Sequence, residues 1–122
     1  MQLSQELPDF RYVPRAVRAD HVLVNDRELR RSFILTPHRL VEEWAHAGEL
    51  QAADMDAILA LDPEVVLLGT GGRQRFPAPA VMAACLTRGI GIEVMDSAAA
   101  ARTFNVLAAE GRRVVAAFVL PG

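Results

Sequence analysis

The stretch Val65-Val66-Leu67-Leu68-Gly69-Thr70-Gly71-Gly72-Arg73-Gln74-Arg75 decides the fold. Its first four residues are apolar without alternation, the pattern of a strand buried on both faces, as in parallel sheets. Gly69 ends the run, and the glycines after it open a loop. Pro77 and Pro79 then introduce a helix over residues 78–88, because proline is tolerated in a first turn, and Gly89 stops it. Ile90-Gly91-Ile92-Glu93-Val94-Met95 reads as a second short strand. Asp96 or Ser97 can cap the next helix, which runs from Ala98 to Glu110 and stops at Gly111. Val114 to Leu120 forms a last strand, ended by Pro121. Strand and helix therefore alternate, which implies right-handed crossovers and a largely parallel region.

Working outward, the first third reads as strands. Val22 and Val24 alternate with their neighbours, Asn25-Asp26 interrupts, and Leu29, Phe33 and Leu35 follow. Asn and Asp tolerate left-handed backbone, so this predicts a hairpin with arms near residues 20–24 and 28–35, the second ended by Thr36-Pro37. Residues 9–18 offer another edge strand, broken by Pro14. Residues 38–47 stay open between an amphipathic turn and an extended segment that buries Trp44, with Gly48 closing either. A short helix is expected from Ala52 to Leu61, with Asp54 and Asp56 near its start and Asp62-Pro63 as its stop. The expected fold is a single three-layer α/β domain over residues 1–122, with an ordered core over about 10–120. Its mixed central sheet has an N-terminal antiparallel hairpin followed by β-α-β-α-β.

Composition narrows function mainly by exclusion. The chain has 122 residues, 52% of them hydrophobic, and a net charge of −2. All 13 basic residues are arginine. The acidic balance argues against a protein built to hold nucleic acid. Cys85 is the only cysteine, which excludes an internal disulfide and a cysteine-based zinc site. No apolar run approaches the roughly 20 residues that span a bilayer. Met1-Gln2-Leu3-Ser4-Gln5-Glu6 has neither the basic nor the apolar region of a secretory signal, so the expected compartment is the cytosol.

Three places carry candidate chemistry. The Gly69–Arg75 loop can turn backbone amides towards an anion, aided by a helix N-terminus, and Arg73 and Arg75 can contact a phosphate or carboxylate. A dinucleotide fingerprint would need glycine where Gln74 stands, and a P-loop would need a lysine. The competing reading is a tight turn with both arginines solvated. Asp96, in the next strand-to-helix turn, reaches the same sheet edge as an acid, base or hydroxyl-binding group, or serves only as a helix cap. Arg102 and Asn105 share one side of the last helix. Asn105 lowers helix propensity there, so it is expected to bond loop backbone or, failing that, a ligand.

Other polar residues say less. Glu42 and His46 make one helically spaced pair, a weak metal signal, and His21 and His38 are isolated. Cys85 lies in an alanine-dense helix and reads as a small buried hydrophobe rather than a nucleophile. Glu42/Glu43 and Asp54/Asp56 read as solvated faces. No metal site and no cofactor are expected.

These residues also carry a resemblance. The Val65–Gly71 strand end, the Gly89–Ser97 segment and Ala100-Ala101-Arg102-Thr103-Phe104-Asn105-Val106-Leu107 through Val114 resemble the MTH-domain family over residues 10–120. Ser32, Thr36-Pro37 and Trp44 also fit it. The family's small α/β proteins include a mitochondrial complex I assembly factor and an adipogenesis-associated protein. The resemblance implies a three-layer fold with a mixed sheet and no established enzymatic activity. Its recurrent polar positions match Gly69, Thr70, Gly71, Asp96, Arg102, Thr103 and Asn105. The family often has cysteine just before that arginine. Ala101 stands there in this chain, which argues against a required thiol.

The expected function is a non-catalytic accessory, assembly or interaction protein with a protein partner. The alternative is a binding protein or enzyme for a small anionic ligand, held between the Gly69–Gly72 loop and the Asp96 turn. A concave pocket with convergent polar groups at that edge favours the ligand. An exposed apolar patch favours the partner.

Overall fold

Residues 11–44 and 49–121 are described by a computed structural model. Along the chain run β1 (Pro14–Val17), β2 (Val22–Val24), β3 (Arg27–Leu29), β4 (Phe33–Leu35) and β5 (Leu40–Val41). They are followed by α1 (Asp56–Leu59), β6 (Val65–Gly69), α2 (Pro79–Leu86), β7 (Gly91–Met95), α3 (Ser97–Ala109) and β8 (Val114–Phe118). The larger sheet has the order β5-β4-β8-β6-β7. Within it β6 runs parallel to β7 and β8, while β4 is antiparallel to β8 and β5. The strands β1-β2-β3 form a separate antiparallel sheet.

The uninterrupted apolar run of β6 is explained by burial on both faces. Leu67 joins Val114, Ala116 and Phe118 of β8 in a core closed by Phe104 of α3 and by Val22 and Val24 of the smaller sheet. Val66, Leu68, Val115 and Ala117 face a second core with Met55, Ile58, Val81 and Cys85 from the α1–α2 side. The large sheet is therefore the middle of three layers. Each fully buried large side chain in it stabilises by roughly 1.5–3 kcal/mol.

Several elements differ from their sequence reading. The expected 28–35 arm is two strands, β3 in the small sheet and β4 in the large one. Ser32 marks the crossing: its buried hydroxyl accepts the Leu120 N–H at 2.9 Å and lies 3.4 Å from the Leu120 carbonyl. Pro14 opens β1 instead of breaking a strand, and a bulge follows it. β1 is an edge strand, where proline's missing N–H is tolerated. Asp9 and Phe10 lie outside the described residues.

The chain bends at His38, is extended only through β5, and turns again at Glu43, at φ 55°, before the half-buried Trp44, whose indole donates to the Asp54 carbonyl at 2.7 Å. Ala45 to Gly48 lie outside the described residues. The expected 52–61 helix is a 3-10 turn over Ala52–Met55 followed by the single turn of α1. Its entry is held by the Asp54 carboxylate accepting the Gln51 N–H at 2.7 Å, and Asp62, at φ 56°, ends the region. The Asn25-Asp26 turn stands, with Asn25 at φ 55° and its amide bonded to Val13 and Arg11.

Candidate functional site

The parallel order brings the ends of β6 and β7 together, with Gly69 opposite Met95. Loops at the carboxyl ends of neighbouring parallel strands commonly form binding sites. Here the two loops are tied to each other. Thr70 donates its N–H to the Met95 carbonyl at 2.9 Å. Its hydroxyl donates to the Arg73 carbonyl at 2.6 Å and accepts the Arg75 N–H at 3.0 Å. Gly71 donates its N–H to Ser97 Oγ at 2.8 Å, and Ser97 returns its own N–H to the Gly71 carbonyl at 2.8 Å. Gln74 donates to the Val94 carbonyl at 2.8 Å. Asp96 accepts the Ala99 N–H at 2.8 Å and so caps α3.

These bonds decide what remains available. The amides of Thr70, Gly71 and Arg75 are engaged within the protein. The chain stays extended at Ala78, with ψ 149°, so α2 begins at Pro79 and the glycines do not themselves enter a helix. Gly69 is a packing glycine: a Cβ there would lie 3.1 Å from Ala100 Cβ and Phe118 Cδ2.

A groove of about 940 Å³ opens along this edge. Thr70, Gly71, Gly72, Arg73 and Arg75 line it, together with Glu49, Leu50, Phe76 and Val119. Phe76 is 69% exposed. Arg73 and Arg75 make no ion pair with a described residue. Phe76 was not singled out from the sequence. Its signal was an aromatic between Arg75 and Pro77 that belongs to no apolar periodicity.

The other candidate residues lie off the groove lining. Arg102 is exposed on α3, and Thr103 is half-buried. Asn105 donates to the Pro14 carbonyl at 3.2 Å and ties α3 to β1, while its buried Oδ1 has no partner among the described residues. The backbone partner expected for Asn105 is therefore Pro14. Asp20 bonds His21 at 2.7 Å, and that bond holds the Asp20 carboxyl below its usual range. Glu42 pairs with Arg27 and Glu43 with Arg31. His46 lies outside the described residues. Burial pushes the Cys85 thiol above its ordinary pKa, the opposite of what activates a nucleophile.

A small three-layer α/β domain is thus defined, with a polar strand-end junction and a groove beside it. The chain belongs to the family described as protein of unknown function (DUF498/DUF598), whose model matches residues 15–119. The NMR structure of a Xanthomonas campestris protein is 58% identical, covers 100% of this chain and 94% of its own, and superposes with a TM-score of 0.83. A Bordetella pertussis solution structure described as a Mth938-like domain is 31% identical, covers 90% of this chain and 85% of its own, and gives 0.66. The MTH-domain resemblance is thereby upheld.

Two curated relatives point in different directions. The human NADH dehydrogenase (ubiquinone) 1 alpha subcomplex assembly factor 3 is 35% identical over 104 residues, which is 81% of this chain and 55% of that protein. The chain therefore spans about half of that relative's length. A Francisella tularensis relative named 13 kDa major membrane protein is 30% identical over 95 residues, which is 75% of this chain and 77% of that protein. Among the described residues, no helix is long and apolar enough to cross a membrane.

Proposed function

We propose that the chain is a non-catalytic accessory protein that docks another protein along the edge formed by Arg73, Arg75 and Phe76. The observation that carries this reading is Phe76, a large aromatic 69% exposed beside arginines without described ion-pair partners. Aromatic and arginine side chains dominate binding energy at protein interfaces. The similarity to a protein named as an assembly factor supports the same role by analogy. Nucleic acid is not among the proposed partners, given the net charge of −2.

The test is capture from the native cell with the wild-type chain and with Arg73→Glu, Arg75→Glu and Phe76→Ala combined. The wild type should retain specific proteins that the variant loses. Identical captured sets would contradict the assignment. A cytosolic location is part of the proposal, and recovery of the chain with sedimented membranes would contradict it.

The groove volume favours a second reading, in which Thr70, Gly71, Gly72, Arg73 and Arg75 hold a small anionic ligand. Asp96, Arg102, Thr103 and Asn105, also expected at such a site, do not line the groove. Phosphate or nucleotides should then shift the amide resonances of Gly71 to Arg75. Unchanged spectra at millimolar ligand would exclude this reading.

A further inference from the structure

A second cleft, of about 410 Å³, lies at the other end of the large sheet, where β6 and β8 begin. Its apolar lining includes the buried Ala108 and Val114 and the half-buried Leu61. Around it stand the three arginines Arg39, Arg112 and Arg113, with His38 and a single carboxylate, Asp62, which lies 3.7 Å from Arg113 Nε. The nearby carboxylates occupy only part of that charge. Glu64 accepts Arg112 Nε at 3.1 Å and the Arg113 N–H at 2.8 Å. Arg113 Nε donates to the Asp62 carbonyl at 3.1 Å. The terminal guanidinium nitrogens of both arginines have no partner among the described residues, and Arg39 makes no ion pair with any of them.

Glu64 and Asp62 therefore orient the arginines through Nε while leaving their outer nitrogens available. Thr36 fixes the opposite wall. Its hydroxyl accepts the N–H groups of His38 and Arg39 at 3.1 and 2.8 Å, which holds the turn carrying both side chains. Planar guanidinium groups suit phosphate oxygens, and several around one opening suit a dianion. Arginines around an apolar lining match a ligand with an anionic head and an organic body. The volume is within the range of small-molecule pockets, roughly 300–1,000 Å³.

We propose that this cleft binds an organic phosphate monoester, with its phosphate at Arg39, Arg112 and Arg113 and its organic part over Leu61 and Val114. The site is separate from the Phe76 edge and stands or falls independently of the docking proposal. No residue lines both.

The experiment is a titration of the ¹⁵N-labelled chain with adenosine monophosphate and, separately, inorganic phosphate. Adenosine monophosphate should give saturable shifts at Arg39, Asp62 and Gly111 to Val114, and bind more tightly than inorganic phosphate. Arg39→Gln should weaken that binding about tenfold, the loss of one charge-assisted contact. Arg39→Lys should restore part of it. Arg39 is the residue to change because it is exposed and its replacement breaks no described ion pair. An unaltered urea unfolding curve establishes that the variant is folded.

The proposal is overturned by any of the following results. The first is no saturable shift with adenosine monophosphate up to on the order of 10 mM. The second is equal affinity for the two probes, or an affinity that Arg39→Gln leaves unchanged. The third is a set of shifts confined to Gly71 to Arg75, which would move the ligand to the other groove.

Discussion

Three glycines at the end of β6 should respond to alanine in three different ways, because one is closely packed, one has a left-handed backbone and one has neither constraint. At Gly69 a Cβ would meet Ala100 Cβ and Phe118 Cδ2 at 3.1 Å and Ser97 Oγ at 3.2 Å. None of these neighbours can withdraw freely. Ala100 is fully buried in α3, Phe118 is stacked on Phe33 with ring centroids 4.9 Å apart, and Ser97 holds the Gly71 N–H. Overpacking of this kind costs about 1–3 kcal/mol. At Gly71 the space is open but φ is +88°, so alanine should cost about 1–2 kcal/mol through backbone strain. Gly72 has neither constraint, and Gly72→Ala should stay within about 0.5 kcal/mol of wild type. Urea unfolding measures all three, provided the m-value is constant. In thermal unfolding, 1 kcal/mol corresponds to about 3–6 °C for a domain of this size. If Gly69→Ala stayed within about 0.5 kcal/mol of wild type, like Gly72→Ala, the assignment of Gly69 to packing would be refuted.

Three further outcomes follow from single side chains. Asn105→Ala should cost about 1 kcal/mol, since it removes the bond to Pro14 but also the unpartnered Oδ1; a loss of several kcal/mol in chemical denaturation would mean that Oδ1 has a partner. Cys85 should resist alkylation at neutral pH until the chain unfolds, and its modification rate should track the unfolded fraction. The Arg113 amide, and after it the Arg112 side chain, hold the Glu64 carboxyl below its ordinary value of 4.5. Glu64 thus contributes stability above that value and loses it as pH falls through its lowered pKa. Glu64→Gln should therefore flatten the acid side of the stability–pH curve, and an unchanged acid limb would contradict this.

The strands β6 and β8 were legible because burial on two faces writes an uninterrupted apolar run, as in Val65 to Leu68, whereas the edge strand β7 shows as an alternation in which Gly91 and Glu93 are exposed and Ile92 and Val94 buried. The cap of α3 was legible because Asp96 acts through its own helix. The division of residues 28–35 between two sheets was not. Leu29, Phe33 and Leu35 all enter the same core, so their periodicity continues across the break. What makes the break is the contact of Ser32 with Leu120, far along the chain, which no local pattern records.

The candidate site was legible in location and less so in use. The Gly69–Arg75 loop lies at the strand-end edge that the strand order suggested, and a groove opens there. Thr70, Gly71 and Ser97 turned out to bond one another, because parallel strands place the two loops within reach of each other. The helix expected from residue 78 begins at Pro79, and the extended segment through Ala78 separates its N-terminus from the glycines. The second cleft has no local signature in the sequence, because its arginines come from distant turns, Thr36 to Arg39 and Gly111 to Arg113.

The docking edge is tested most directly by a photo-crosslinking phenylalanine analogue placed at Phe76, and separately at Leu86, in the native cell. Leu86 is also exposed, at 57%, but lies off the groove. The account predicts a discrete protein adduct from position 76 that position 86 does not give. No adduct from position 76, or the same adduct from both, would contradict it.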